Sequence, residues 1–324
     1  MLDQARLTQV AEKLVGQVLG VKPGESVSII RDSESDSAPV AEAVVQACVK
    51  AGTDPVCLIM LPRAINGAEL PEPMSGAFVG SKVLINLSRT SIAHVRAGTA
   101  ALQAGARMGS LRNWEEGILE SPGVLADYEM IKRNALAVDA LLEKGREVHI
   151  TTAEGTDLTL QLCGRKGKAQ TGFAREPGLF TAIPDGESTV APLEGTTNGR
   201  LVNPYTMEKI GLIDEPFEME VRDGMIVGMK GGKQARALEA LLEDKDPNAR
   251  RFASQLAFGI NPDCRIVPNT LEVSKRLGTI HLAIGDNFTL GGTVKAGHHM
   301  DIVVLNPTVT LDGKLLLENG KLYL

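Results

Sequence analysis

The sequence predicts an α/β protein, with an N-terminal parallel α/β domain followed by a β-rich α+β domain that binds a metal. Helical and strand-like periodicities alternate as far as about residue 143, which is typical of a parallel sheet covered by helices. Beyond Glu147, short strands and hairpin turns dominate. We therefore predict a boundary near residue 145, with an α/β domain over 1–145 and a catalytic, metal-binding domain over 146–324.

The first half begins with apolar residues at helical spacing. They run from Leu7 to Val18, with Asp3 as the expected N-cap and Gly20 as the stop. Strands are predicted at 26–30, 56–61 and 82–87, and a helix at 39–50. No Gly-x-Gly-x-x-Gly motif follows the first strand, so the sequence lacks the usual dinucleotide-binding signature.

The second half contains two strong hairpin signals, Asp223-Gly224 and Asp312-Gly313. Strands are predicted at 148–152, 158–162, 217–221, 225–229, 279–285 and around 302–305. A helix is predicted at 233–242, and a second is predicted to begin at Pro247 with Asp246 as its cap.

The composition excludes several classes of protein. Lys+Arg 34 against Asp+Glu 40 gives a net charge of −6, so the basic face of a nucleic-acid-binding protein is not expected. The apolar runs have the length of strands, the start of the chain does not resemble a signal peptide, and the four cysteines show no pairing pattern. We expect a cytoplasmic protein that acts on a small molecule, without a nucleic-acid or membrane partner.

The histidines suggest a metal site. His299 and Asp301 lie two residues apart in an apolar run, so on a strand both side chains point to the same side, about 7 Å apart, and can share a divalent metal. A surface salt bridge on an edge strand is the alternative. His281, in a second strand that reads as buried, favours the metal, and Glu187 after the Asp185-Gly186 turn is a further candidate carboxylate, although a glutamate on a turn is usually solvated.

Several segments of the second half carry a family resemblance through their order and spacing. They are Ile183-Pro184-Asp185-Gly186-Glu187, Ala191-Pro192, Thr197-Asn198-Gly199, Ile280-His281-Leu282-Ala283-Ile284-Gly285 and His299-Met300-Asp301. Together they resemble the thermophilic-type metallo-aminopeptidases of the aminopeptidase S/T group. The resemblance implies Glu187, His281, His299 and Asp301 as metal ligands, with His298 as a site neighbour. It also implies a homodimer.

Two positions depart from that family. The family's second glutamate, which bridges two metals, corresponds to Gln255, and its catalytic tyrosine corresponds to Phe288. We therefore expect one tightly bound ion rather than two. The sequence is also similar to a related branch, the 2,5-dihydroxypyridine 5,6-dioxygenases, which hold Fe(II) by two His and one Asp. Their remaining histidine falls at Gln255.

From these observations the expected function is that of a metallohydrolase that cleaves an amide or peptide-like bond of a small substrate. Zinc, cobalt or manganese would activate a water, with Glu187 as general base if it does not bind the metal. The alternative is an Fe(II)-dependent ring-cleaving dioxygenase, in which His281, His299 and Asp301 hold the iron. A third interpretation, motivated by Gln255 and Phe288, is a binding protein without turnover.

Overall fold

The structure is a computed structural model that describes residues 3–34, 37–63, 68–93, 95–112, 117–243 and 246–324. The chain forms two compact units, Met1–Tyr128 with Gly172–Asp185, and Glu129–Thr171 with Gly186–Leu324. The chain therefore passes between the units three times, and residue 145 is not one of these points. The division at 145 stays a prediction about which parts of the chain fold independently.

The helices and strands follow the α/β class that the sequence predicts. The α-helices are α1 Gln4–Glu12, α2 Ala38–Lys50, α3 Glu72–Val79, α4 Arg96–Gln103, α5 Tyr128–Lys144, α6 Lys233–Leu241 and α7 Thr270–Val273. The strands are β1 Val27–Asp32, β2 Val56–Met60, β3 Val83–Asn86, β4 Arg107–Ser110, β5 Glu147–Thr151, β6 Asp157–Gln161, β7 Lys168–Gln170, β8 Phe180–Ala182, β9 Glu187–Val190, β10 Asn198–Val202, β11 Thr206–Met207, β12 Gly211–Leu212, β13 Phe217–Arg222, β14 Met225–Gly231, β15 Phe252–Gly259, β16 Ile280–Gly285, β17 His299–Val304, β18 Thr308–Leu311, β19 Lys314–Glu318 and β20 Lys321–Leu322.

The first unit is built on a five-stranded parallel sheet in the order β2-β1-β3-β4-β8. Its strands β1 and β3 are largely buried and rich in apolar residues, as expected for a parallel sheet that is covered on both faces. Helix α1 starts where the sequence predicts, because the side chain of Asp3 accepts a hydrogen bond from the Ala5 amide. A π-helical turn, Lys13–Val18, extends it toward Gly20.

The second unit contains two antiparallel sheets. One has the order β14-β13-β10-β6-β5-β18-β19-β20, and the other has the order β12-β11-β17-β16-β15-β9-β7. The predicted turns at Asp223-Gly224 and Asp312-Gly313 are confirmed, and all four residues have the positive φ of a type I′ hairpin turn. We call the strand set β17-β16-β15-β9 the central strands.

The helix predicted to begin at Pro247 is wrong. The Asp246 side chain accepts a hydrogen bond from the Asn248 amide at 2.8 Å, and the Ala249 amide bonds back to the Asp246 carbonyl at 3.0 Å. These bonds close a turn two and three residues after the aspartate, and strand β15 already begins at Phe252. Asp246 therefore caps a turn, a role that favours aspartate for the same hydrogen-bonding reason.

Among the residues that the structure describes, no helix is both long enough and apolar enough to cross a bilayer.

Candidate metal centre

The register of the central strands brings the predicted site residues onto one face of their sheet. In an antiparallel ladder, directly paired residues share a face, as do residues two apart on one strand. Asp301 pairs with Ala283, which shares a face of β16 with His281. Glu187 is placed on the same face through its pairing with Gly259 and through Ala257, which pairs with His281.

A small residue stands opposite each of these side chains. The pairs are Glu187 with Gly259, His281 with Ala257, Asp301 with Ala283, and His299 with Gly285. Glycine and alanine leave the space above the sheet to the polar partner, which lets two imidazoles and two carboxylates occupy adjacent positions on buried strands.

Gln255 enters the same group through an irregular stretch of β15. Between Phe252 and Leu256 the regular pairing with β16 is lost, and Ala253 has a positive φ of 54°. A β-bulge with a residue in a sparsely populated backbone region is a common feature beside functional sites. Gln255 lies inside this bulge and is buried.

Gln255 connects the two imidazoles. Its Nε2 lies 2.9 Å from Nε2 of His281, and its Oε1 lies 3.0 Å from Nε2 of His299. Nε2 of His299 is also 3.3 Å from Oδ1 of Asp301, and Nε2 of His281 is 3.6 Å from Oε2 of Glu187. These separations resemble those of neighbouring ligands around one ion, which are about 3–3.5 Å for metal–ligand bonds near 2.1 Å.

The orientation of His299 is fixed by a backbone group. Its Nδ1 donates to the carbonyl of Asp286 at 2.6 Å, which directs Nε2 toward Gln255 and Asp301. A metal-binding histidine is commonly held by such a second contact. Burial alone would lower the pKa of His299, but the neighbouring Asp301 carboxylate raises it to about 9 in the metal-free protein.

Asp301 carries a carboxylate oxygen that lacks a hydrogen bond. Burial would raise the pKa of Asp301, yet the positive charge of the neighbouring His299 imidazolium holds it below its ordinary value, so the carboxylate is ionised. Its Oδ1 is buried and accepts no hydrogen bond from any side chain or backbone group in the described ranges. In the metal-free protein the protonated His299 ring offsets this charge from 3.3 Å, and a metal ion would replace that positive charge.

His281 is almost completely buried. It is 1% exposed, and burial lowers its pKa, so it is neutral. Its Nδ1 also has no hydrogen-bonding partner among the described residues. A neutral imidazole is the form that binds a metal ion.

Glu187 differs from Asp301 because both of its oxygens are engaged. The Gln170 side-chain amide donates to Oε1, and the Lys275 ammonium contacts Oε2. The role of Glu187 as a metal ligand stays a prediction.

Two other residues named from the sequence lie on the loop between β16 and β17. His298 donates from Nε2 to the Ala249 carbonyl at 3.2 Å, and burial lowers its pKa. Phe288 is 53% exposed, and the Lys295 ammonium lies over its ring, 4.1 Å from the centroid. The structure places neither residue in the hydrogen-bonded chain that joins His281 through Gln255 to His299.

Sequence reasoning missed three polar neighbours of the site. Lys275 and Gln170 contact Glu187, while Glu208 lies beside Asp301 and has its pKa raised by burial and by the Asp301 charge. Gln170 could have been found only from the pairing of β7 with β9, and Lys275 only from the tertiary fold, because it lies 88 residues from Glu187.

The donor types fit a divalent metal ion, although the side chains rest in a hydrogen-bonded arrangement. No group of three or more His, Cys, Asp or Glu side chains within the described residues forms a ready metal cluster, since the Gln255 amide lies between the imidazoles. The bare Asp301 oxygen and the neutral His281 are nevertheless what a cation requires. We therefore regard His281, His299 and Asp301 as able to hold such an ion.

Comparison with known proteins identifies the family. The sequence profile of NicX, 2,5-dihydroxypyridine 5,6-dioxygenase, matches residues 9–324. The chain belongs to the 2,5-dihydroxypyridine 5,6-dioxygenase family. A curated 2,5-dihydroxypyridine 5,6-dioxygenase of Pseudomonas putida KT2440 is 27% identical in an alignment of 223 positions that covers 62% of this chain and 62% of that enzyme. The match therefore covers less than two thirds of the relative's length.

Two solved structures share the fold of this dioxygenase-family chain. The 2,5-dihydroxypyridine dioxygenase of Pseudomonas putida KT2440 has a TM-score of 0.84 at 20% identity, covering 100% of this chain and 98% of that one. AmpT of Thermus thermophilus has a TM-score of 0.73 at 17% identity, covering 99% and 100%. The α/β class is thus confirmed, and the fold is common to the dioxygenase and to AmpT.

The assignment as a metallohydrolase is wrong, and with it the aminopeptidase and metalloprotease classification. The family profile and the curated relative both identify an oxidoreductase. The physical reason lies at the two departures already noted. Gln255 offers a neutral amide where two cations would need a bridging carboxylate, and Phe288 has no hydroxyl. Glu187 was expected to act as a general base in hydrolysis, so that role is withdrawn together with the hydrolase assignment. A metal-dependent enzyme remains supported.

Gly285 tests the need for small residues opposite the ligands. It has a φ of 101°, and a Cβ there would lie 2.2 Å from the His298 carbonyl oxygen. We expect Gly285→Ala to destabilise the protein by about 3 kcal/mol and to weaken metal binding, because the chain must shift beside His299. Gly291→Ala is the matched control, since Gly291 also has a positive φ but no atom within 4 Å of such a Cβ. Its cost should be about 1 kcal/mol, and equal costs in urea unfolding would contradict the steric account.

The metal-free protein should become less stable as the pH rises from about 6.5 to about 9. Folding raises the pKa of His299 from 6.5 to about 9, so its contribution is complete below 6.5 and is lost as the pH passes 9. Because the side chain is one-third exposed, we expect a loss of about 1–2 kcal/mol in the free energy of unfolding. His299→Gln should flatten this dependence, whereas His149→Gln, at an exposed histidine, should not. The same slope in His299→Gln and in wild type would refute the assignment.

Proposed function

We propose that this protein is an Fe(II)-dependent dioxygenase that opens a hydroxylated aromatic ring, of which 2,5-dihydroxypyridine is the first substrate to test. The family match over residues 9–324 carries the proposal, because it covers both units of the chain. The donor set supports it independently. Two imidazoles and one carboxylate are the ligands of a large group of non-haem iron oxygenases.

His281, His299 and Asp301 would hold the iron. When bound, Fe(II) supplies one-electron redox chemistry and coordination positions that the protein leaves open. His299 is held for this purpose by its Nδ1 bond to the Asp286 carbonyl, and His281 is kept neutral by burial. Asp301 contributes negative charge, so that the three ligands together carry a charge of −1 that offsets part of the charge of the ion.

The surroundings of these ligands restrict water on one side and fix their positions. His281 and the strand residues beside it, including Ala257 and Ala283, are buried, whereas the side chains of His299 and Asp301 are 33% and 27% exposed, so the centre is closed on one side and open to solvent on the other. The side-chain amide of Gln255 lies about 3 Å from each imidazole. Its Nε2 is 2.9 Å from Nε2 of His281, and its Oε1 is 3.0 Å from Nε2 of His299. We infer that it positions both rings before the ion arrives. The related dioxygenases have a histidine ligand at the position of Gln255. In this protein His281 would supply that ligand instead.

The direct test is oxygen uptake by anaerobically purified, Fe(II)-loaded protein after addition of 2,5-dihydroxypyridine. We expect oxygen consumption to accompany the loss of the ring's ultraviolet absorbance. His281→Ala and Asp301→Ala should lower both iron content and turnover by about 100-fold or more, because each removes a ligand. His149→Ala serves as a control, since His149 is an exposed histidine paired with Asp157. Turnover that survives in the His281→Ala/Asp301→Ala double variant would sink the assignment.

A further inference from the structure

The two carboxylates of the candidate metal centre differ in burial and in hydrogen bonding: the Glu187 side chain is 1% exposed and the Asp301 side chain 27%. Glu187 and Asp301 are both on the same face of the sheet, and both lie close to an imidazole. The Oε1 and Oε2 atoms of Glu187 are each met by a donor, whereas Oδ1 of Asp301 is buried without one among the described residues. The difference assigns the two carboxylates to different tasks.

The partner of Glu187 is a full positive charge that the fold holds in place. The Lys275 amide donates to the Glu272 carbonyl at 3.1 Å, and the Lys275 carbonyl accepts from the Asn261 amide at 2.8 Å. The lysine backbone is therefore fixed on both sides. Its side chain is only 13% exposed, and its ammonium meets a carboxylate that is 1% exposed. A buried pair of this kind is poorly screened by solvent.

The charges of the group leave room for one ion. The ammonium of Lys275 offsets the charge of Glu187. The remaining ionised ligand, Asp301, lies beside His299. A second divalent ion beside Glu187 would have to displace the ammonium or lie next to it, and like charges at such a distance repel strongly in a buried site.

We propose that Lys275 is an internal counter-ion that withholds Glu187 from metal binding, so that the centre accepts one metal ion and excludes a second. This inference rests on the proposed function for the existence of the first ion. It replaces the ligand role expected for Glu187. The neutral amide of Gln255 already favours a single ion, and the Lys275 ammonium is a second, independent reason. Lys275 thereby determines the stoichiometry of the site without itself touching the metal.

The test measures Co(II) bound per chain, by equilibrium dialysis of the metal-free protein followed by elemental analysis. Wild type should bind one ion. Glu187→Gln should also bind one ion, because the glutamate is not a ligand, although loss of its contact near His281 can weaken that ion by about 10-fold. Lys275→Met should bind a second ion, since a buried carboxylate has lost its counter-charge. The double variant Glu187→Gln/Lys275→Met should return to one.

Lys321→Met is the matched control, because Lys321 is exposed and lies over the Tyr323 ring. If Lys275→Met does not fold, as judged by circular dichroism, Glu187→Gln still decides the matter. Loss of the ion from Glu187→Gln, or a single ion in folded Lys275→Met, overturns this inference and leaves the proposed function in place. A wild-type chain that binds no Co(II) and no Fe(II) overturns both.

Discussion

The site depends on the cost of burying charge. Three strands of one sheet present two carboxylates and two imidazoles to one face, β15 adds the Gln255 amide, and each charge there must find a partner or be removed. Lys275 and Gln170 satisfy Glu187, the Asp286 carbonyl orients His299, and Gln255 joins the imidazoles. One oxygen of Asp301 is left without a donor among the described residues. In the proposed function, that oxygen is the one that would meet the metal ion.

The same constraint explains how one fold supports different chemistry. The chain shares its architecture with a dioxygenase and with AmpT, and such likeness at 20% and 17% identity concerns the fold alone. The chemistry is set by a few side chains on the central strands. We propose that the neutral amide of Gln255 and the ammonium of Lys275 both limit the number of cations that the centre can hold.

Local sequence predicted much of this arrangement. Three polar side chains are predicted on apolar strands from local sequence alone. His299 and Asp301 have period-two spacing, and His281 lies in an apolar run. The pairing itself followed from antiparallel register, which brings Ala283 opposite Asp301. The turn at Asp185-Gly186 also leads into β9 as expected, with Glu187 as its first residue.

What the sequence did not predict depends on contacts between distant segments. Lys275 meets Glu187 from 88 residues away, and nothing near Lys275 distinguishes it from a surface lysine. The bulge at Ala253 contains no glycine or proline, so the sequence gives no signal of the positive φ there. Asp246 was mistaken for a helix cap because the same side-chain bond also closes a turn. The hydrolase assignment failed for a related reason, since shared ligand types do not determine the reaction that an ion performs.

The most direct measurement of whether this protein is a ring-cleaving dioxygenase traces the oxygen atoms. Fe(II)-loaded protein should be supplied with 2,5-dihydroxypyridine under ¹⁸O₂, and the product should be analysed promptly by mass spectrometry. A ring-cleaving dioxygenase incorporates both atoms of O₂, so we predict a ring-opened product that carries two labels. Label that enters only from H₂¹⁸O, or substrate that remains intact while the protein holds its iron, would contradict the central claim.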